Sequence, residues 1–426
     1  MKLKWMVPAL MLALMTVSGC TSGQPDSAGE NKNAQDEKEK LVALVAETET
    51  GLKEVDFNRD TGGSQKYEDY LTGRTLTVEE YMEESNLYGL SVAVYENYEL
   101  KWSKAYGVRD LESKTPVDTN TVFSTASISK AYTGTLAAIL EEKGMLDLDA
   151  PVNSYLKRWQ LPDNEFTKAT PVTLRHLLSH TAGTTVGGFA DYGVEMDIPT
   201  TAQILAGESP AQNDPVVVDR EVGKEWRYSG GGYVLAMMAI EDYTGERFED
   251  LMDTYIFNPL GMTNSTFWQP DSGKFTDNAA AAHNEEGEMY PYKHPVTPEL
   301  SASGLWSTAE ELPLLLIDIQ NALAGRESKV VSPEVAEYVT AEYLEGSKWG
   351  FPWALFRTWG NLEWFSYSGA NTGIGGQVAA TFEGGNAFAI LGNGPNSIRV
   401  PLIEMLLRRI IDTHDWAKPE SEVTDQ

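Results

Sequence analysis

Apolar and polar positions follow two rhythms along this chain. Residues 90–95 (LSVAVY) and 100–106 (LKWSKAY) are rich in β-branched and aromatic side chains, and a short polar turn at 96–98 separates them. That pattern predicts a strand pair. Just upstream, residues 76–86 set Leu76, Tyr81 and Met82 among acids behind Thr77, which predicts a capped helix. Beyond residue 127 the pattern turns helical, through Leu136, Ala137, Ala138, Ile139 and Leu140 to a natural stop at Gly144. Short helices are expected near 152–156 and 172–179, and an apolar one over 234–243. Another is expected from Thr308 onward, with Thr308 as cap, Glu311 completing a capping box and Pro313 in the early turns. Strand character returns at 348–359, 362–367, 376–382 and 387–392, between Gly/Asn turns. Residues 399–414 close the chain as an amphipathic helix with Val400, Ile403, Leu406, Leu407 and Ile410 on one face.

Strands at both ends of a helical middle predict an α+β fold, an α/β sandwich. One antiparallel sheet, flanked by helices, takes its edges from opposite termini, and a helical region is inserted between them. The chain has no internal repeat.

The first residues change the picture of where this body sits. Lys2 and Lys4 precede an apolar run of 13 residues, 5–17, too short for an ordinary membrane span. Val17-Ser18-Gly19-Cys20 follows and resembles the lipobox of bacterial lipoproteins. On that resemblance 1–20 is a lipoprotein signal and Cys20 carries the lipid. The expected location is the bacterial cell envelope, anchored to the membrane and facing periplasm or exterior. Cys20 is the single cysteine, so no disulfide and no cysteine nucleophile are available to the mature body. Residues 21–40 are Ser/Gly/Asn/Asp/Glu/Lys-rich without aromatics and read as a flexible linker. Residues 41–75 read as an N-terminal extension of unassigned role, ahead of a body over 76–426. The formal net charge of −30 repels phosphate backbones, so nucleic acid is not an expected partner.

The chemistry concentrates at 123–143, FSTASISKAYTGTLAAILEEK. Within it Ser127-Ile128-Ser129-Lys130 is an S-x-x-K tetrad. Where such a tetrad opens a helix, its serine and lysine share a face. The amine then lowers the cost of removing the hydroxyl proton, and the free N–H groups of the helix start suit an oxyanion. A second tetrad, Ser154 to Lys157, has the same spacing. Spacing alone does not separate the two.

Context does. FSTASISK (123–130), GMLDLDAP (144–151), LRHLLSHTAG (174–183), YSGGGY (228–233), PLGMT (259–263) and GLWST (304–308) stand in one order. Together they resemble the serine β-lactamase and penicillin-binding-protein-like hydrolases, in particular the class C β-lactamase, DD-carboxypeptidase and esterase branch. The likeness spans about 76–412 and selects Ser127 over Ser154. It implies a β-lactamase/transpeptidase-like fold and a serine hydrolase working through a covalent acyl-enzyme on esters or amides. Ser127 is then the nucleophile, Lys130 its activating amine, and Tyr228 of Tyr228-Ser229-Gly230 the general base of a Y-x-N element. Gly230 replaces the Asn. The third element, K-T-G or H-x-G, aligns with Tyr367-Ser368-Gly369-Ala370, where Tyr367 replaces Lys or His. The N–H groups of Ser127 and Ala370 would form the oxyanion hole.

A phenol at 367 is no cation at neutral pH. Esters and amides that lack a free carboxylate therefore fit better than β-lactams. His180 offers a triad with Ser127, or else a histidine that hydrogen-bonds the fold together. The second role is favoured because Lys130 and Tyr228 already fill the base position. No G-x-S-x-G elbow, H-E-x-x-H or paired Cys/His set occurs, so neither an α/β-hydrolase nor a metal or other cofactor is expected. The tryptophans are expected in core and cleft walls. Gly230 and Tyr367 also motivate an alternative: a catalytically weak or inactive binding or regulatory relative in the cell envelope. The partner in the first reading is a small-molecule or peptide substrate.

Overall fold

The computed structural model describes residues 27–56 and 71–417. The expected signal over 1–20, Cys20 and the first part of the expected linker lie outside the described residues. A six-stranded sheet organises the rest. β3 (Gly89–Glu96) and β4 (Glu99–Gly107) come from the first part of the chain. β7 (Ala354–Trp359), β8 (Leu362–Asn371), β9 (Ile374–Thr381) and β10 (Ala387–Gly392) come from the last. Their order is β4-β3-β10-β9-β8-β7, antiparallel throughout. The two edges therefore come from the two ends of the strand sequence, as the pattern predicts. Elsewhere β1 (Leu52–Val55) pairs with β2 (Leu71–Leu76), and β5 (Phe123–Ala126) pairs with β6 (Leu305–Ser307).

Each face of the sheet has its own apolar core. On one side Leu90, Val92, Trp102, Trp364 and Phe388 pack with Val45, Leu402, Leu406 and Ile410. The other core holds Ala93, Phe365, Tyr367, Val378 and the helical middle of the chain. At the centre of that middle lies α3 (Ile128–Glu142), buried continuously from Ile128 to Leu140. Its buried Thr133 and Thr135 hydroxyls donate to the Ser129 and Ala131 carbonyls, so the helix can be enclosed on every side, and truncating Leu136 there would cost about 2–5 kcal/mol.

Five expectations change. The linker read over 21–40 becomes helix from Ser27, as α1 (Ser27–Thr48). Good helix formers, a Gln35–Glu39 bond and a Lys40–Glu37 pair support it locally. Its far end docks on the closing helix, where Thr48 and Thr413 share a hydroxyl bond of 2.8 Å. The helix expected near 152–156 is only a 3₁₀ turn, Val152–Ser154. The strand expected over 348–359 begins at Ala354, whereas β8 runs on past 367 to Asn371. The helix expected from 308 begins later, as Leu312–Leu323. Thr308 accepts from the Glu311 N–H, but the Glu311 carboxylate turns to Asn264 and Ser265, so the box is half made. The apolar helix expected from 234 begins at Gly230, as α4 (Gly230–Thr244), with the Ser229 hydroxyl accepting from the Gly232 N–H. Among the described residues no helix is long and apolar enough to cross a membrane.

Candidate active site

β5 ends in a kink. Ala126 sits at φ 50°, a left-handed conformation uncommon for a residue with a Cβ. The Ser129 hydroxyl donates to the Ala126 carbonyl at 2.6 Å and accepts from the Leu305 N–H at 2.9 Å, which pins the kink to β6. The next residue, Ser127, is the N-cap of α3 and stays half-buried. Lys130, one turn on, is 2 % exposed. Its Nζ donates to the Ala302 carbonyl at 2.7 Å and to Ser127 Oγ at 3.2 Å. The rings of Tyr228 and Tyr233 lie 4.9 and 5.8 Å from the same nitrogen. A buried ammonium is costly alone; a carbonyl, a hydroxyl and two ring faces offset that cost.

Tyr228 comes in from the loop before α4 and is half-buried. Burial pushes its phenol up, but the Lys130 charge and contacts with Lys130, Ser127 and Tyr367 outweigh burial, and its pKa falls below the ordinary value. Tyr367 goes the other way. Burial, then the neighbouring Tyr228 and Tyr233, hold it well above the ordinary range, so it stays neutral. Its hydroxyl makes no hydrogen bond of normal geometry among the described residues, and its interaction with Tyr228 is a looser electrostatic one.

His180 stands behind this group rather than in it. Its Nδ1 accepts from the Ser229 N–H at 3.1 Å, which leaves the proton on Nε2, a nitrogen without a partner among the described residues. Burial, then Lys130, keep the ring neutral. The ring lies 4.6 Å from that of Tyr228 and steadies the 226–229 loop. A stacked pair, Trp226 and Trp349, closes the same wall at 5.0 Å, with Trp349 edge-on to Tyr367 at 5.6 Å.

The two departures from the family pattern have local causes. A Cβ on Gly230 would stand 2.9 Å from the Phe189 ring and 3.0 Å from the Gly187 carbonyl. The 187–189 wall thus fills the space an Asn side chain would need. Gly369 is confined more tightly. A Cβ there would lie 2.0 Å from the Thr125 carbonyl and 2.8 Å from the Ser127 nitrogen. β8 passes directly against the segment that carries Ser127, which only glycine permits. Ser368 and Ala370 alternate onto the other face and are exposed. Only their main-chain groups can turn toward Ser127. The Gly369 carbonyl faces the β9 side, 2.2 Å from where a Cβ on Gly375 would stand. Successive residues of a strand aim their polar groups to opposite sides, so the Ala370 N–H points away from β9.

Ser127, Lys130, Tyr228, Tyr367 and Gly369 are therefore brought together, with the backbone of Ala370 alongside. Several neighbours escaped the sequence reading. Ala302 acts through its carbonyl, which no side chain advertises. Asn371 ties β8 down, donating to Ser124 Oγ at 2.9 Å and the Ser303 carbonyl at 3.2 Å; its place two residues past Gly369 was a usable signal. Glu299 is wholly buried with both carboxyl oxygens unpartnered among the described residues, and burial, with Asp191 nearby, pushes its pKa up to about 8. Asp191 in turn accepts from the Thr372 N–H at 2.8 Å, joining the segment just past Phe189 to the β8–β9 turn. Among the described residues, the acidic group with metal-like spacing is Glu141, Asp147 and Asp149, at the far end of α3. Arg175 already binds Glu141 and Asp149, so the cluster has no part in this site.

A family model described as Beta-lactamase matches residues 75–407. Among curated proteins, the teichoic acid D-alanine hydrolase of Staphylococcus aureus (strain MRSA252) is 26% identical over 300 residues, covering 70% of this chain and 71% of that protein. The octameric penicillin-binding protein homologue from Pyrococcus abyssi superposes with a TM-score of 0.63 at 23% identity, over 78% of this chain and 76% of its own. The penicillin binding protein from Bacillus halodurans gives 0.61 at 17%, over 77% and 98%.

Proposed function

The chain belongs to the Beta-lactamase family and is a serine hydrolase of β-lactamase/transpeptidase-like fold; on that premise we propose that it hydrolyses esters through an acyl-enzyme on Ser127. The observation that carries this is the 3.2 Å approach of Lys130 Nζ to Ser127 Oγ beneath a phenol whose pKa is lowered. Tyr228, as phenolate, takes the Ser127 proton while Lys130 holds both oxygens in place. Ser127 Oγ bonds to the substrate carbonyl carbon. The resulting oxyanion is held by the N–H groups of Ser127 and Ala370. Collapse expels the alcohol, which receives the proton from Tyr228. Water then adds to the acyl-enzyme by the same route and frees the acid.

Two features favour esters without a free carboxylate. The position of the usual Lys or His holds Tyr367, buried and neutral. In addition, the curated relative is named for removing D-alanine from teichoic acid. An alanyl group bound through its own carboxyl presents an ammonium rather than a carboxylate, so aminoacyl esters are the first substrates to test. Export and lipid attachment at Cys20 place this activity in the cell envelope in our reading.

Incubation with a fluorophosphonate and a fluorescent penicillin, followed by peptide mass spectrometry, tests the proposal. A fluorophosphonate adduct on Ser127 and release of D-alanine from model esters are expected. Folded protein with no adduct on Ser127, and hydrolysis unchanged in Ser127→Ala, would leave the alternative of a binding or regulatory relative.

A further inference from the structure

We infer that Arg399 is a positioning residue for the oxyanion: from the far side of β8 it polarises the Gly369–Ala370 peptide group, whose N–H is the second donor of the proposed oxyanion hole. The inference rests on the acyl-enzyme reading above.

Arg399 lies in the first turn of the closing helix, α5 (Asn396–Thr413). It is 1% exposed and, among the described residues, forms no ion pair with a carboxylate. Instead Nη1 donates to the Gly394 carbonyl, and Nη2 donates to Asn396 Oδ1 at 2.6 Å and to the Gly369 carbonyl at 3.3 Å. Nε has no partner. Burial alone pulls this guanidinium down to about 9. An uncompensated charge is among the costliest groups to bury, and an apolar side chain would fill the same space more cheaply.

The sheet is shaped to admit it. A Cβ on Gly375 would stand 2.7 Å from Arg399 Nη2 and 2.2 Å from the Gly369 oxygen, in the path of their bond. A Cβ on Gly392 would press on Arg399 Cδ at 3.3 Å. Glycines on β9 and β10 thus leave a slot through which the guanidinium reaches β8.

The Gly369 carbonyl and the Ala370 N–H belong to one resonant peptide unit. A cation donating to that oxygen draws electron density from the nitrogen and makes its N–H a stronger donor, as in any hydrogen-bonded chain. The unpaired positive charge also sits in a low-dielectric interior, near where negative charge develops in the transition state. Substrate in its ground state has little charge there. The effect therefore belongs to kcat rather than KM.

The test uses the full chain with p-nitrophenyl butyrate as substrate and phenylboronic acid as probe. The boronate's tetrahedral adduct on a serine imitates the oxyanion. Arg399→Met is expected to lower kcat about 10- to 100-fold, to leave KM within about twofold, and to weaken boronate binding by the factor lost from kcat. Arg399→Lys should recover most of both. Asn396→Ala removes an anchor but not the charge, and should stay near wild type. Should Arg399→Met fail to fold by circular dichroism, Arg399→Gln, uncharged and still a donor, is read in its place. A folded uncharged variant with kcat and boronate affinity within threefold of wild type overturns the inference, as does an equal loss in Asn396→Ala. Ser127→Ala separates this failure from that of the parent reading. Hydrolysis retained there overturns both, whereas hydrolysis lost there beside an unaffected Arg399→Met overturns this inference alone.

Discussion

The two S-x-x-K tetrads share a spacing and little else. Ser127 caps a helix of 15 residues, so Lys130 comes round beneath it and meets its hydroxyl. Ser154 is the last residue of a 3₁₀ turn, and its hydroxyl folds back to the Pro151 carbonyl at 2.7 Å. Lys157 is exposed and donates to the Asp242 carbonyl instead. No helix continues there to bring the two onto one face. A three-residue interval carries chemistry only where the backbone that follows is helical and where burial strips water from the amine.

Breaking the first tetrad should therefore be drastic and breaking the second silent. Ser127→Ala is expected to cut ester hydrolysis by about 10³-fold or more, and Ser154→Ala to leave it unchanged, in steady-state assays. Lys130→Met should lose about 10²- to 10⁴-fold, while Lys157→Met keeps wild-type turnover. The pH dependence sharpens the contrast. Tyr228 must be deprotonated to act, so kcat/KM should fall as pH drops through its pKa, which lies below that of free tyrosine. In Lys130→Met the residual activity should need a higher pH, because the charge that lowers the phenol is gone; Lys157→Met should not move the limb.

The acids beside the two tetrads give the smallest and most diagnostic effect. Glu299 is pushed up to about 8 from 4.5. The native protein then holds a proton that the unfolded chain releases, so stability declines as pH rises between those values. Glu299→Gln should abolish that decline, and urea melts should show its advantage over wild type opening from pH 5 to pH 8, to an order of a few kcal/mol. Asp242, beside Lys157, has the opposite sign. Burial raises it, but main-chain donors at 157 and 158 and the Arg158 side chain outweigh that and hold it below 3.8. Asp242→Asn should destabilise at neutral pH, and the deficit should fade as pH falls through the native pKa.

Much of this is legible in the sequence. The sheet could be read because each strand advertises itself locally, and the choice of Ser127 followed from six short pieces in one order. What escaped was decided by tertiary contact. α1 has a composition that suits a tether and a docked helix equally, and docking against Thr413 and Arg409 is invisible in its own residues. Tyr367-Ser368-Gly369-Ala370 breaks strand alternation, yet pairing with β9 carries the strand through. Ala302 contributes a main-chain oxygen. Arg399 reads as the polar edge of an amphipathic helix, and only the slot at Gly375 and Gly392 reveals where its charge goes.

The docking of α1 has an outcome for how the molecule is held. Val45 and Leu52 join the apolar layer on the side of the sheet opposite Tyr367 and α3. The end of α1 and β1 are thus built into the layer behind the sheet, and deleting residues 41–52 should open that layer while leaving the packing of α3 against the other face in place. An insertion spliced into the Thr372 turn would instead break its bond to Asp191 at the end of β8, on the side of the sheet that carries Ser127.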